Sequence, residues 1–584
     1  MAISDPVEAK IQSVRNAVIG KDCLLDTPFG PRPMLYADFT ASGRSLTLVE
    51  DQIAKLSVHY ANPHTEDSET GRVSRAWMFE AEDIIKNCVN AGPDDCVLPC
   101  GAGATDAIHK LQEILGVAIP PRSSERVAKA LSTTHWFQKK NKAREKLEAD
   151  SPVVFIGPYE HHSNELSWRE SLAEVVAIGL NAEGLLDLDH LKRELESPLY
   201  AGRRLIGSFS AASNVTGVKT DVSALAKILH AHGAILCLDC AASAPYRQID
   251  MHPTGDEGAH IDAICFSPHK FVGGPGSCGV LVFNTDIYRQ DLPPTRGAGG
   301  TVRYVSKNQH DYFEDIKARE SAGTPGVPQI VRAALAMKLQ AEIGHELIET
   351  REHAAQVKAF AMWDKNPFIE VLGPGDPDKC LGIVSFNIKD PREGYLHPRL
   401  LTVLLNDLFG IQSRAGCSCA GPYGHDLLEV DDAQSLAFRS VVMDGHIGMR
   451  PGWCRVSLHW MMDDIELDYL IRAVDFIARE GWRFVDLYSF DPVSGLWRWK
   501  EGCPAVETCF PEALLAQTGL AQASNPVQGA DLYQDALSQA ESLAQNLAKQ
   551  GECVSGCLPK ALEPVRFFTI PSDRTQLEET NPQS

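Results

Sequence analysis

The chain has 584 residues, 44% hydrophobic and 23% charged, the composition of a globular protein long enough for more than one domain. Its formal net charge of −22 argues against a nucleic-acid or membrane-surface binder, since both need a positive footprint. No apolar run is long enough to span a bilayer, and the N-terminus lacks the charged and apolar regions of a signal peptide. The 16 cysteines are scattered, several inside strand-like apolar runs, so we expect reduced thiols, no disulfide framework and a cytoplasmic location.

In chain order, a short N-terminal segment (1–34) precedes a region (35–340) in which apolar β-branched runs alternate with helical patterns. Strands are expected at 152–157, 204–209, 234–239, 263–267 and 279–283, with an amphipathic helix at 222–232 among them. Strands apolar on both faces and alternating with helices predict an α/β layer with a mainly parallel sheet, which binds ligands at the carboxyl ends of its strands. The stretch 122–146 carries Arg122, Arg126, Lys129, Lys139, Lys140, Lys142, Arg144 and Lys146 with few acids. It reads as a solvated helical insertion in preference to a partner-binding patch. A long helical zone from Val331 to about Trp363 leads into a smaller α+β unit (341–490), with strands near 380–387 and 453–458 and a helix at 463–480. The remainder (491–584) is irregular, weakly helical at 531–549 and polar from Pro571 onward, where disorder is expected.

Four places carry chemistry. In Asp262-Ala-Ile-Cys-Phe-Ser-Pro-His-Lys270-Phe-Val-Gly-Gly, a lysine follows a strand end and precedes a glycine turn, where a desolvated amine can attack a carbonyl. Asp239 also ends an apolar strand, one β-α-β unit earlier. There a carboxylate can cap a helix, bind a metal or pair with a protonated cofactor ring nitrogen. The turn Pro99-Cys-Gly-Ala-Gly103-Ala104-Thr105 opens a helix whose free N–H groups suit a phosphate. After another strand, Tyr159-Glu-His161-His-Ser-Asn164 offers an imidazole able to stack on a flat ring. Cys417 and Cys419 form a Cys-x-Cys without the second ligand pair a zinc site needs, so no metal is expected.

At these residues the chain resembles the class V aminotransferases, fold-type I pyridoxal phosphate (PLP) enzymes, and among them the cysteine desulfurase and selenocysteine lyase branch. The resemblance covers roughly Leu35 to Glu480, with its motifs in the family's order. It implies an α/β fold: a large domain with a mainly parallel seven-stranded sheet between helices, and a smaller α+β C-terminal domain. It implies pyridoxal 5'-phosphate on Lys270, with Asp239 at the ring nitrogen and His161 stacked on the ring as a catalytic group. Gly103, Ala104, Thr105, Ser267 and His269 would hold the phosphate, and Asn214, in Ser213-Asn-Val-Thr-Gly217, would approach the ring. Gly299-Gly-Thr301 resembles a segment that a neighbouring subunit lends to the phosphate site, which implies a homodimer.

The loop Ser413-Arg414-Ala-Gly-Cys-Ser-Cys419-Ala420 resembles the desulfurase loop. It implies Arg414 as the loop arginine, Cys419 as the sulfur acceptor and Arg455 as the residue holding the carboxylate of L-cysteine or a related amino acid. The activity implied is removal of sulfur from L-cysteine, leaving L-alanine, a persulfide on Cys419 and sulfur for an acceptor protein. The alternatives are another class V reaction (C–S lyase, epimerase or transaminase) or a non-catalytic sulfur-carrier scaffold. Two departures stand out. Asp239-Cys-Ala-Ala242 lacks the glutamine many desulfurases place there and resembles the molybdenum-cofactor sulfurase branch, and Ala104 replaces a common threonine.

Overall fold

The computed structural model describes residues 6–133, 151–502, 529–549 and 556–571. The basic stretch beyond 133 and the polar end beyond 571 lie outside the described residues. The chain forms two compact units, neither contiguous in sequence: 1–17, 40–350 and 379–381 in the first; 18–39, 351–378 and 382–584 in the second.

The first unit is built on a seven-stranded sheet of β1 (Asp95–Cys100), β2 (Val153–Ile156), β3 (Glu174–Ala177), β4 (Leu205–Ser210), β5 (Ile235–Asp239), β6 (Ala263–Phe266) and β7 (Gly279–Asn284). Its order is β1-β7-β6-β5-β4-β2-β3. Neighbours from β3 through β6 pair in parallel, whereas β7 runs antiparallel to both β6 and β1. The sheet is therefore mainly parallel, as expected. Strands β2, β4 and β6 are buried at every residue, the signature of a layer covered on both faces.

The five expected strands are present, and β1 and β3 are additional. Both are edge strands. Pro99 in β1 breaks the apolar signal and is tolerated because β1 has only one neighbour. β3 is four residues long and half-buried, too little for a pattern to show. Helix α1 (Ala104–Ile114) buries Ala107, Ile108, Leu111 and Ile114, spaced three or four apart, in the core around β1, β6 and β7. Helix α2 (His162–Arg169) follows β2, and α3 (Val222–Ala231) links β4 to β5, starting at Asp221, whose side chain caps the Ala224 N–H. The expected long helical zone is two helices, α4 (Val327–Ile343) and α5 (His345–Trp363). Gly344, at φ +96°, separates them.

The second unit holds an antiparallel sheet of β8 (Ile369–Val371), β9 (Ile383–Ile388), β10 (Arg414–Gly416) and β11 (Trp453–Ser457), in the order β8-β9-β11-β10. Helices α6 (Pro398–Phe409) and α7 (Asp464–Glu480) pack apolar faces into one core with β9 and β11. The chain after 491 contributes to that core. Ala536, Leu537, Ala540 and Ala544 of α8 (Gly529–Lys549) are buried in it, as are Leu558, Leu562, Val565, Phe568 and Ile570. Among the described residues no helix is long and apolar enough to cross a membrane.

Candidate active site

In the first unit, the carboxyl ends of β5 and β6 carry the two central groups. Asp239 closes β5 opposite Cys265 in the parallel register, and β6 ends at Phe266, so the turn bearing Lys270 starts beside Asp239. That turn is a single tight one, in which the Lys270 N–H donates to Ser267 O at 3.0 Å. The glycines after it allow close packing: a Cβ on Gly274 would lie 1.8 Å from Pro268 O. Asp239 is buried, and Oδ1 accepts the Ala241 N–H at 2.8 Å. Burial raises its pKa, against the pull of the Ala241 N–H and the Lys270 charge. Burial lowers that of His269, and Lys270 lowers it further.

The helix-opening turn meets this one. The Ala104 N–H donates to Ser267 Oγ at 2.8 Å. A Cβ on Gly103 would fill the same small space, at 3.0 Å from Ser267 Oγ and 3.5 Å from His269 Nε2. Gly103, Ala104, Ser267 and His269 are thus brought together at the N-terminus of α1, whose positive dipole end favours an anion. Thr105 joins through a side-chain relay: its hydroxyl bonds to Ser163 Oγ at 2.7 Å, and Ser163 Oγ bonds to His161 Nδ1 at 3.0 Å.

His161 is the N-cap of α2, and its Nδ1 accepts the Ser163 N–H at 3.1 Å. Accepting there leaves the ring proton on Nε2. Beside it is the buried Glu160, part of the 159–164 segment but given no role from the sequence. Its carboxylate accepts from the Ser210 N–H at 2.8 Å, Ser210 Oγ at 2.7 Å, Asn164 Nδ2 at 2.7 Å and the Gly157 N–H at 3.2 Å. Burial nonetheless pushes its pKa up to about 7, with Asp239 adding to the rise.

Asn214 lies in a turn closed by the Gly217 N–H to Ser213 O at 3.1 Å, and it is nearly buried. Thr301 is fully buried, with its hydroxyl donating to Ala298 O at 2.8 Å and its carbonyl accepting the Phe313 N–H at 3.1 Å. Its described bonds run to Ala298 and Phe313 and do not reach Gly103 or Ser267.

In the second unit, Arg414 on β10 stands opposite Arg455 on β11. Asp38 joins them, Oδ2 lying 3.2 Å from Arg414 Nε and Oδ1 3.1 Å from Arg455 Nη2. Arg455 is 3% exposed, whereas Arg414 is open to solvent. Asp38 was not singled out in the sequence. After β10 the chain makes a tight turn, the Ala420 N–H donating to Cys417 O at 3.1 Å. Ser418 (φ +50°) and Cys419 (φ +58°) occupy its two central positions. Two successive non-glycine residues in that region are unfavourable by about 1–2 kcal/mol each, and such strain concentrates at functional sites. Cys419 is exposed at the tip, while Cys417 is half-buried.

A mainly parallel sheet with a buried carboxylate, a lysine turn and a glycine-opened helix at its strand ends, together with a smaller α+β unit, defines the fold-type I architecture. The profile of the family Aminotransferase class-V matches residues 139–470, more than half of the chain. The chain belongs to that family. A protein of Streptomyces coelicolor described as a probable cysteine desulfurase is 25% identical over 394 residues, covering 67% of this chain and 84% of that one. One of Staphylococcus aureus with the same description is 29% identical over 415 residues, covering 70% and 88%. Among solved structures, a cysteine desulfurase from Thermococcus onnurineus matches with a TM-score of 0.61 at 21% identity, over 80% of this chain and 98% of that one. A cysteine desulfurase from Escherichia coli matches with a TM-score of 0.57 at 22% identity, over 80% and 97%. At such identities these two structures bear on the fold.

Proposed function

We propose that the protein is a PLP-dependent cysteine desulfurase. The observation that carries this reading is Cys419, a solvent-exposed thiol at the tip of a strained turn directly after the Arg414 strand. Support also comes from the relatives described as probable cysteine desulfurases.

The residues of the first unit fit pyridoxal 5'-phosphate. The cradle that a Cβ on Gly103 would fill is lined by Ser267 and His269, which suits a phosphate, and the buried Asp239 suits a protonated ring nitrogen. Lys270 would hold the group covalently and His161 would lie against its ring. Bound there, the cofactor supplies a sink for the electrons released when a substrate loses its α-proton. Lys270 would take the proton from that carbon as general base. Arg455 holds the substrate carboxylate through its planar fork, and Arg414 adds positive charge from the neighbouring strand. The Cys419 thiolate then attacks the substrate sulfur. An S–S bond forms, the substrate's Cβ–S bond breaks, and the electron pair stays with carbon, which takes up a proton to give L-alanine. The persulfide left on Cys419 is the form handed to a sulfur-acceptor protein.

A homodimer is part of this proposal, with the Gly299–Thr301 segment serving the partner's phosphate site. So is a reducing, cytosolic setting, supported by free thiols among the described cysteines. The test is the purified holoenzyme with L-cysteine and excess dithiothreitol, which reduces the persulfide: alanine and sulfide should form in equal amounts, and Lys270→Ala should end turnover. Alanine formation at the wild-type rate by Lys270→Ala would overturn the reading.

A further inference from the structure

A second cluster of ligating groups sits at the opposite ends of the same strands. Asp262 immediately precedes β6, whereas Lys270 lies past its far end. His230 is on the last turn of α3, and His260 is in the loop before β6. His230 Nε2 is 3.0 Å from Asp262 Oδ2, and His260 Nε2 is 3.7 Å from Asp262 Oδ1. The two imidazole rings stack with centroids 3.9 Å apart and planes 10° from parallel. One ligand atom from each of the three residues falls within 4.8 Å of the others.

The surrounding bonds orient these groups as outer partners orient metal ligands. His230 Nδ1 is 3.0 Å from the Gly258 carbonyl, which can only accept, so Nδ1 carries a proton and Nε2 is the nitrogen facing Asp262. Asp262 Oδ2 accepts the Leu236 N–H at 2.7 Å, which anchors the carboxylate to the start of β5. With Nδ1 protonated, Nε2 and a carboxylate oxygen 3.0 Å apart need a cation between them, a second proton or a metal ion. Two ligand atoms on one tetrahedral zinc ion, each at about 2.1 Å, stand about 3.4 Å apart. Each imidazole nitrogen stands 3.0 or 3.7 Å from a different oxygen of the one carboxylate, close to that spacing. The His260 side chain is 41% exposed, and turning its Nε2 onto an ion exchanges the parallel stack on His230 for a metal bond.

We infer that His230, His260 and Asp262 form a divalent metal site of the zinc class. Two imidazoles and a carboxylate suit a borderline cation, and a water completes the coordination. The ion ties the end of α3 to the loop entering β6, and its role is structural. The ligand spacing of 30 and 2 residues matches no metal motif, so the site was not legible in the sequence. It is independent of the desulfurase reading.

The test is zinc titration of chelator-treated, full-length protein, followed by calorimetry and thermal melting, with cobalt(II) as a spectroscopic probe. We expect one zinc bound with micromolar or tighter affinity, and a higher melting temperature with zinc. Cobalt should give visible bands without thiolate charge transfer. His260→Ala, at a half-exposed side chain, should weaken binding at least tenfold while pyridoxal phosphate loading is kept. Equal zinc affinity and stoichiometry in the wild type and His260→Ala would overturn the site. So would a cobalt spectrum dominated by thiolate, or no zinc binding in the micromolar range.

Discussion

Arg414 and Arg455 stand directly opposite each other on adjacent strands, and the two oxygens of the Asp38 carboxylate bond one to each. Arg455 is almost wholly buried, so its charge depends on that carboxylate for compensation. Asp38→Asn keeps the shape and removes the charge. We expect a loss of about 1–3 kcal/mol in stability, read from the denaturation midpoint at unchanged slope. A midpoint equal to that of the wild type would show the pair to be energetically idle.

On the proposed function, the same geometry gives the two arginines different roles. Arg455→Lys keeps the positive charge but loses the planar fork, so KM for L-cysteine should rise well beyond any change in kcat. Arg414→Lys, at an exposed position, should change both less. Steady-state kinetics with L-cysteine checks the split. Equal effects on KM and kcat in Arg455→Lys would contradict a carboxylate-binding role.

Two glycines near the lysine turn should respond differently to an added methyl. In Gly274→Ala the Cβ would lie 1.8 Å from the Pro268 carbonyl, a clash with backbone that the turn can relieve only by moving. We expect poor soluble yield or a sharply lowered melting temperature. In Gly103→Ala the nearest atom is Ser267 Oγ at 3.0 Å, a hydroxyl able to rotate away. That variant should fold and bind pyridoxal phosphate a few-fold more weakly in an absorbance titration.

Glu160 gives the fold a pH dependence of definite sign. Burial pushes its pKa up to about 7 in the folded state, from the ordinary carboxyl value of 4.5. The unfolded chain therefore releases this proton first as pH rises. The stability it contributes is fully present below 4.5 and is lost as pH climbs through about 7. The loss amounts to about 3 kcal/mol at most. Glu160→Gln should flatten that stretch of the stability–pH curve, as measured by denaturant unfolding between pH 4.5 and 8. Parallel curves for the two proteins would contradict the assignment.

The layer that positions Asp239 and Lys270 was legible because its strands are buried on both faces and read as apolar runs ending in Asp239 and Ser267. The edge strands were not: β1 carries Pro99, and β3 is short and half-wet. The helix break at Gly344 was hidden inside a continuous helical pattern. At the site, residues on local turns (Gly103, His161, Lys270, Cys419) were visible one motif at a time. Asp38 was not, because its partners lie 376 and 417 residues away in sequence and no periodicity links them. Glu160 and Ser163 became meaningful only when the fold brought Ser210 and Thr105 to them.

The most direct test of the account is single-turnover sulfur transfer in Cys419→Ala. The variant, loaded with pyridoxal phosphate and mixed with L-cysteine, should keep the cofactor's visible absorbance while forming no protein persulfide and no alanine above background. The wild type should form one persulfide per chain, on Cys419. Alanine formation by Cys419→Ala at the wild-type rate would contradict the desulfurase account and point to another class V reaction in which Cys419 takes no part.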